Sequence, residues 1–271
     1  MKNPIHVVRA IRSGLILARD PDRLDQVWAL FDAAAKAMRG TELAQAIIDG
    51  LREDPRGASA FAERPRLEID LAYLRTLPSG TLGRAFAAHM DHLGLDPAAI
   101  PRLEANDEFA YSMAYLYDTH DVWHAVTGFE TDVAGELGLQ AFYFAQFPAR
   151  FAGFLLLGGF VNTLFLNFED RDRRMNAIAR GWLLGKRSAA LFGVRWADLW
   201  TTPLDDVRAL LDLDLPAIDS QLPQLRNAEA RDRGNGVDHE IKKLLPTKWM
   251  PANILEKFLN DRNGEHKRIS A

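Results

Sequence analysis

Apolar residues recur three and four positions apart along most of the first 215 residues, which is the spacing of amphipathic helices. Four such helices are predicted, over residues 20–39, 41–51, 71–77 and 81–94. Gly40 and the Pro-Ser-Gly stretch at 78–80 separate the members of each pair, and Asp54-Pro55-Arg56-Gly57 predicts a turn. Because runs with the alternating pattern of β-strands are scarce, we predict an all-α fold, a single-domain helical bundle built of helical hairpins.

After residue 215 prolines and glycines become frequent and break the chain into short pieces. We therefore divide the chain into a helical core domain, residues 1–215, and a C-terminal helical extension of unknown role, residues 216–271. Within the extension, a short predicted helix after Pro251 carries an apolar stripe beside several lysines. This mixture suits the surface of an anionic bilayer, but packing on its own domain or on a second subunit explains it equally well.

Composition excludes several classes of protein. The 33 basic and 37 acidic residues give a net charge of −4, so we expect no nucleic-acid partner. The chain has no cysteine, which rules out disulfides, a cysteine nucleophile and thiolate metal ligands. A bound metal would have to be held by His, Asp or Glu. Arginines interrupt the apolar stretches near the N-terminus, so we predict no secretory signal.

Residues 151–168 form one uncharged run, FAGFLLLGGFVNTLFLNF, which just reaches the length of a membrane span, about 18 residues. The run contains three glycines and two asparagines, and Arg150 and Glu169 flank it closely. The cores of soluble proteins contain runs of this kind. We therefore predict a buried helix or helix pair rather than a membrane span.

Residues 106–146 contain side chains that can bind a metal ion. Asn106 is predicted to cap a helix whose apolar stripe continues through His120 and His124. Two histidines four positions apart project their imidazoles side by side from adjacent turns, as a metal site on a helix requires. Asp121 precedes His124 by three positions, so its carboxylate can reach the same cluster.

Glu136 is the candidate for a further ligand. On a straight helix it would lie about 18 Å further along the axis, too far to share a metal ion with His124. A break at Gly128 and a helix cap at Thr131 would let a second, antiparallel helix return Glu136 to the histidines. One cation would then compensate both carboxylates. The residues alone leave open that the histidines form ordinary hydrogen bonds and that the acids face water.

Two known motifs share part of this pattern. Zinc proteases with the sequence His-Glu-x-x-His need the glutamate as general base, and Asp121 in that position disfavours protease chemistry. A His-Asp doublet with an upstream histidine, such as His89 or His92, is typical of a family of metal-dependent phosphohydrolases. That alternative leaves His124 and Glu136 unexplained.

The complete pattern, His-Asp-x-x-His followed by eleven residues and Glu, resembles the signature of the coenzyme Q (ubiquinone) biosynthesis protein 4 family. Further similar segments are ARDPDRLDQVW at 18–28, LPSGTLGRAFA at 77–87 and LFGVRWADLWTTPLDDVRALL at 191–211. The resemblance covers most of residues 5–212, and nothing is carried over to the extension. By this resemblance His120, Asp121, His124 and Glu136 would be the metal ligands and the catalytic residues.

The resemblance implies a peripheral membrane protein, commonly a homodimer, that works in ubiquinone biosynthesis with other proteins of the pathway. Its activity would be oxidative decarboxylation coupled to hydroxylation of a polyprenylated hydroxybenzoate ring, with the polyprenyl chain in a hydrophobic tunnel lined in part by residues 151–168. A non-catalytic scaffold that presents prenylated intermediates is the alternative. The ligand set suits zinc, with iron or manganese as alternatives. We expect the protein in the cytoplasm, on the inner face of the cell membrane.

Overall fold

The structure, a computed structural model, describes residues 24–97 and 102–222, together with Ile5, His6 and Arg9. Helices dominate this part of the chain, and no β-strand occurs in it. The helices are α1 (Leu24–Met38), α2 (Glu42–Arg52), α3 (Pro55–Glu63), α4 (Leu71–Thr76), α5 (Leu82–Leu93), α6 (Glu108–Thr127), α7 (Val133–Gln146), α8 (Arg150–Phe165), α9 (Arg171–Arg187), α10 (Leu204–Leu210) and α11 (Leu215–Asp219). Two short 3₁₀ helices lie at Phe168–Asp170 and Trp196–Leu199. The predicted all-α fold is confirmed.

The four helices predicted in the first 94 residues are present as α1, α2, α4 and α5. The hydroxyl of Thr41 accepts a hydrogen bond from the backbone N–H of Ala44 and caps α2, and Thr81 caps α5 in the same way. Gly40 and Gly94 follow α1 and α5 in left-handed backbone conformation, which glycine adopts without a steric penalty. Local capping chemistry therefore sets these helix ends.

The turn predicted at Asp54-Pro55-Arg56-Gly57 is wrong, because these residues begin α3. The Asp54 carboxylate accepts a hydrogen bond from the backbone N–H of Arg56, and Pro55 occupies the first helical position. Proline is well suited to that position because its missing N–H would have had no partner within the helix. Helix α2 ends at Arg52, so only Glu53 and Asp54 separate the two helices.

Helix α6 lies at the centre of the bundle and contacts α2, α3, α5, α7 and α10. Its side chains Tyr111, Val122, Trp123 and Val126 are completely buried. They belong to a continuous core that also contains Phe86 and other residues of the surrounding helices. A helix buried on several faces has little freedom to rotate or shift, so α6 is a rigid base for the side chains that it presents.

Helices α7 and α9 approach each other closely through glycines. A Cβ atom at Gly181 would overlap the carbonyl oxygen of Gly138, and one at Gly185 would lie 2.8 Å from the carbonyl oxygen of Phe142. Only glycine permits this backbone separation. The packing against α9 therefore fixes the position of α7 beside the central helix.

Helix α8 covers most of the uncharged run at 151–168, but the prediction that this run is buried is wrong for one of its faces. Ala152 and Leu156 are buried, whereas Leu157 and Leu164 are each 59% exposed. The exposed apolar residues of α8 are Phe154, Leu157, Phe160, Val161, Leu164 and Phe165. No single helix among the described residues has the length and apolar composition of a membrane span; α8 and the segment Phe168–Arg187 pass that criterion only together, with a bend of 116° between them.

The described residues belong to one compact unit, which spans residues 1–223. Helix α11 is part of its core, because Ile218 is buried. The predicted boundary between residues 215 and 216 stays a prediction. The predicted amphipathic helix after Pro251 lies outside the described residues.

Candidate metal centre

Helix α6 carries the two histidines of the predicted site. Its cap is Asp107, whose carboxylate accepts a hydrogen bond of 2.7 Å from the backbone N–H of Ala110. The prediction that Asn106 is the cap is wrong, since the Asn106 side chain instead donates a hydrogen bond to Glu104. At the other end Gly128 stops the helix in left-handed conformation, as predicted.

Helix α7 carries Glu136. Its cap is Asp132, which accepts a hydrogen bond of 2.9 Å from the backbone N–H of Gly135, and not Thr131 as predicted. Glu136 consequently lies in the first turn of α7, where the positive end of the helix dipole stabilises a carboxylate. The reversal of the chain between α6 and α7 brings this carboxylate back to the histidines.

Three side chains converge. Nε2 of His124 lies 3.2 Å from Oε1 of Glu136, and Nε2 of His120 lies 3.7 Å from Oε2 of the same carboxylate. The two Nε2 atoms are 3.3 Å apart. The ligand atoms of all three residues lie within 4.8 Å of one another, which makes them a group that one metal ion can bridge.

Asp121 does not belong to this group. Successive residues of a helix point about 100° apart, so the Asp121 carboxylate leaves α6 in a different direction from His120. Asp121 is half-buried, and its negative charge acts on His120 and on Tyr143. The structure therefore supports an electrostatic influence of Asp121 on the site, and its ligation of a metal stays a prediction.

Hydrogen bonds on the outer nitrogens orient both imidazoles. Nδ1 of His124 donates to the backbone carbonyl oxygen of Phe129 at 3.0 Å, and Nδ1 of His120 lies 3.3 Å from the hydroxyl of Tyr143. A carbonyl oxygen only accepts, so the proton of neutral His124 resides on Nδ1 and the lone pair on Nε2 faces the cluster. Such outer partners are typical of histidines that bind metals.

Charge is concentrated at the cluster. Burial alone would raise the pKa of Glu136, but hydrogen bonds and the charges of His120 and His124 hold it well below its usual range. Burial alone would lower the pKa of His120, and the neighbouring Glu136 raises it instead. The Glu136 carboxylate is therefore ionised at neutral pH, and its negative charge stabilises a positive charge on the neighbouring His120.

The donor set fits a divalent cation. Two imidazole nitrogens and a carboxylate are all acceptors when the histidines are neutral, and three acceptors at these distances require a proton or a metal ion between them. The His124 side chain is completely buried, whereas those of His120 and Glu136 are 32% and 40% exposed. A cation here would have protein on one side and an accessible coordination position on the other, as catalytic metal sites require.

Two neighbours of the cluster were not identified as site residues from the spacing. Tyr143 lies on the same face of α7 as Glu136, seven residues further on, which is the one sequence signal that could have found it. His89 on α5 stacks on His124, with ring centroids 5.8 Å apart. The sequence offered His89 only as one of two upstream histidines, and the other, His92, is exposed.

Two surface cavities lie elsewhere. One, of about 680 Å³, is lined by residues of α4 and α5 and by the segments that flank them, and includes Arg75 and Asp91. The other, of about 340 Å³, includes Arg56, Arg195 and Leu211. Both contain charged side chains and neither includes the cluster, so the predicted hydrophobic tunnel stays a prediction.

Similar proteins of known family identify the family of this chain. A family model described as Coenzyme Q (ubiquinone) biosynthesis protein Coq4 matches residues 3–217. A ubiquinone biosynthesis protein coq4, mitochondrial, from Aspergillus fumigatus is 30% identical over 215 residues, which are 76% of this chain and 72% of that protein. The corresponding protein of Pyricularia oryzae is 29% identical over 231 residues, 83% of this chain and 72% of its own.

A solved structure is also similar. It is the crystal structure of a candidate ubiquinone biosynthesis protein from Nostoc punctiforme PCC 73102, with 29% identity and a TM-score of 0.68. The similarity covers 78% of this chain and 98% of that one. The family match covers the described residues up to residue 217, within α11, and includes the helices that carry His120, His124 and Glu136. This chain belongs to the coenzyme Q (ubiquinone) biosynthesis protein Coq4 family.

Proposed function

We propose that this member of the family binds a divalent cation through His120, His124 and Glu136 and uses it in the oxidative decarboxylation and hydroxylation of a polyprenylated hydroxybenzoate. The observation that carries the proposal is the convergence of three ligand atoms within 4.8 Å, from two helices, with an accessible side. Zinc, iron and manganese all accept this combination of nitrogen and oxygen ligands. We favour zinc, because two imidazoles and one carboxylate with an open position are its usual catalytic set.

The residues of the site have different roles. Glu136 and the two Nε2 atoms would hold the cation, while the carbonyl oxygen of Phe129 and the hydroxyl of Tyr143 keep the imidazoles in position. When bound, a divalent cation supplies positive charge that binds the ring carboxylate and stabilises the negative charge that develops as carbon dioxide leaves. The exposed side of Glu136 is where the ring would approach.

The overall reaction removes two electrons from the substrate, because a hydroxyl group replaces the carboxylate and carbon dioxide is released. When each oxygen molecule accepts the two electrons of one ring, the balanced products are the hydroxylated ring, carbon dioxide and hydrogen peroxide, with one water molecule consumed. We therefore expect peroxide and carbon dioxide in equal amounts. This stoichiometry distinguishes the reaction from a decarboxylation without oxidation.

The experiment incubates purified, metal-loaded protein with a prenylated 4-hydroxybenzoate labelled with ¹⁴C in the carboxylate, under oxygen. Labelled carbon dioxide above that of the metal-stripped protein supports catalysis. Binding of the substrate without release of carbon dioxide would favour the scaffold alternative, in which the protein presents intermediates to other enzymes of the pathway. The structure offers no support for the phosphohydrolase alternative, because Asp121 is not part of the ligand group. Metal-dependent release of phosphate from a prenyl phosphate would support that alternative.

We further propose that α8 places the protein on the inner face of the cell membrane, where a polyprenyl chain is found. Phe154, Leu157 and Leu164 present apolar surface to the outside on one face of this helix. After the end of α8, Arg171 lies over the ring of Phe168, and on α9 Lys186 lies over the ring of Trp182. Apolar side chains with basic and aromatic neighbours are the combination that binds anionic bilayers.

Vesicle sedimentation with anionic phospholipids tests this proposal. Leu157→Asp should weaken vesicle binding, whereas Leu210→Asp, at an equally exposed leucine on α10, should not. If a second copy of the chain covers α8 instead, Leu157→Asp would change the mass measured by light scattering and leave vesicle binding unchanged. That result would show that the exposed face of α8 is a homodimer interface and not a membrane-binding surface.

A further inference from the structure

A third imidazole lies against the metal centre from a different helix. The ring of His89, on α5, stacks on that of His124 with centroids 5.8 Å apart and planes inclined by 22°. Nε2 of His89 is buried and has no hydrogen-bond partner among the described residues. A buried ring nitrogen without a partner destabilises the folded chain, so a polar atom is expected to satisfy it.

Trp123, on the same helix as His120 and His124, carries a second unpartnered polar atom. In the part of the chain that the structure describes, three buried side-chain nitrogens lack a partner, and Trp123 Nε1 is another of them. The Trp123 ring stacks on Tyr143 at 4.5 Å, and Tyr143 in turn contacts His120. Two of the three therefore belong to rings packed against the histidines of the cluster or against their hydrogen-bond partners.

His89 is not itself placed as a metal ligand. Its nitrogens do not belong to the group of atoms that lie within 4.8 Å of one another. A divalent cation held by Glu136 and two neutral imidazoles retains one positive charge, so the open position favours an anionic oxygen. The His89 ring lies against His124, one of the proposed ligands, and an imidazole there can donate a hydrogen bond to an anion bound at the cation.

We infer that His89 donates a hydrogen bond from Nε2 to an oxygen of the anion bound at the cation, and that this anion is an aromatic carboxylate. The inference rests on the proposed metal centre and adds a residue that selects the ligand. A neutral ring substituent would gain less from this contact, because hydrogen bonds to charged acceptors are the stronger ones. His89 thereby favours the carboxylated ring over a ring that has lost its carboxylate.

Cobalt-loaded full-length protein provides the test, because the visible spectrum of the cobalt ion reports both its retention and the binding of a ligand. The probe is 4-hydroxybenzoate, with 4-hydroxybenzyl alcohol as the uncharged comparison. His89→Ala should retain cobalt and weaken the affinity for 4-hydroxybenzoate about ten- to a hundredfold, with a much smaller effect on the alcohol. His92→Ala, at the exposed histidine of the same helix, should change neither measurement.

His89→Gln keeps a side-chain N–H close to the position of Nε2 and should restore part of the affinity. It also guards against a His89→Ala variant that fails to fold. Loss of cobalt from both variants would overturn the inference, because His89 would then be a ligand of the metal. Retained cobalt with unchanged affinity for 4-hydroxybenzoate would overturn it as well. Wild-type protein that retains no cation would instead overturn the metal centre.

Discussion

The hydroxyl of Tyr143 and Nδ1 of His120 lie 3.3 Å apart, and this contact joins the second helix of the site to the first. The Tyr143 ring is held by stacking on Trp123 and by the edge of Phe147. Burial raises the pKa of Tyr143 well above its usual value, and the charge of Glu136 adds to the shift. The hydroxyl therefore stays protonated and can hold His120 over a wide pH range.

Tyr143→Phe should weaken the affinity for zinc about tenfold, within the roughly 10- to 100-fold range found for outer hydrogen-bond partners of metal ligands. The phenyl ring preserves the stacking on Trp123, so the helical circular dichroism should not change. Competition with a chromophoric chelator measures the affinity. The matched control is Tyr111→Phe, which removes a hydrogen bond to the carbonyl oxygen of Pro65, away from the cluster. Equal affinities in the two variants would contradict a role for Tyr143 at the metal.

Glu136→Gln should abolish retention of a divalent cation, because an amide oxygen carries no charge to compensate the ion. His120→Ala should have the same effect, and both variants should keep the helical signal of the wild type. Elemental analysis after gel filtration measures the metal. Glu130→Gln, at an exposed position in the loop between α6 and α7, is the control and should retain the metal. Full occupancy in Glu136→Gln and His120→Ala would refute the ligand assignment.

Much of this site follows from the sequence, because its signals are local. Gly128 ends α6 through its own backbone conformation, independently of tertiary packing. The spacing from His124 to Glu136 requires a chain reversal between them if the two residues share a metal ion. Asn106 and Asp107 are both good helix caps. Which of them caps α6 depends on the residue at which tertiary packing starts the helix, and the local sequence does not predict that residue. His89 approaches from α5, far away in the sequence, so only the packing of α5 on α6 brings it to the site.

The error on residues 151–168 has a different origin. An uncharged apolar run is compatible with burial in a core, with a membrane surface and with a subunit interface, because the hydrophobic effect does not distinguish among them. The structure buries Ala152 and Leu156 and exposes Phe154 and Leu157. The composition of this run predicted an apolar helix but could not predict which of its faces packs against the rest of the protein.

Gly181→Ala should destabilise the protein by about 1–3 kcal/mol, since the added methyl group overlaps the backbone of α7 at Gly138. Because α7 carries Glu136, the variant should also bind metal less tightly. Gly158→Ala is the control on α8, where an added Cβ meets no atom within 4 Å. It should stabilise the protein by about 0.5–1 kcal/mol, as expected for alanine in place of glycine within a helix. Denaturant unfolding compares the two, and equal stabilities would contradict the close packing of α7 on α9.

Asp170 should stabilise the fold in a pH-dependent way. Its carboxylate binds Arg174, a buried arginine that also donates to Asn162, and Arg173, which in turn reaches the α7 cap Asp132. Burial alone would raise the pKa of Asp170, but the hydrogen bonds from the two arginines lower it below the ordinary value of 3.8. A lowered pKa in the folded chain means that the stabilisation is complete above about pH 5 and is lost as the pH falls through and below 3.8.

Asp170→Asn should therefore cost about 1.5–3 kcal/mol at pH 7, the range for hydrogen bonds to charged groups, and progressively less as the solution is acidified below pH 4. Urea unfolding of wild type and variant between pH 3 and pH 7 measures this difference. Asp198→Asn is the control, because Asp198 is 69% exposed and its ion pair with Arg195 is screened by water. A stability difference between wild type and Asp170→Asn that is constant with pH would show that the charge of Asp170 does not hold Arg174, and that the C-terminal end of α8 is anchored by Asn162 and Thr163 alone.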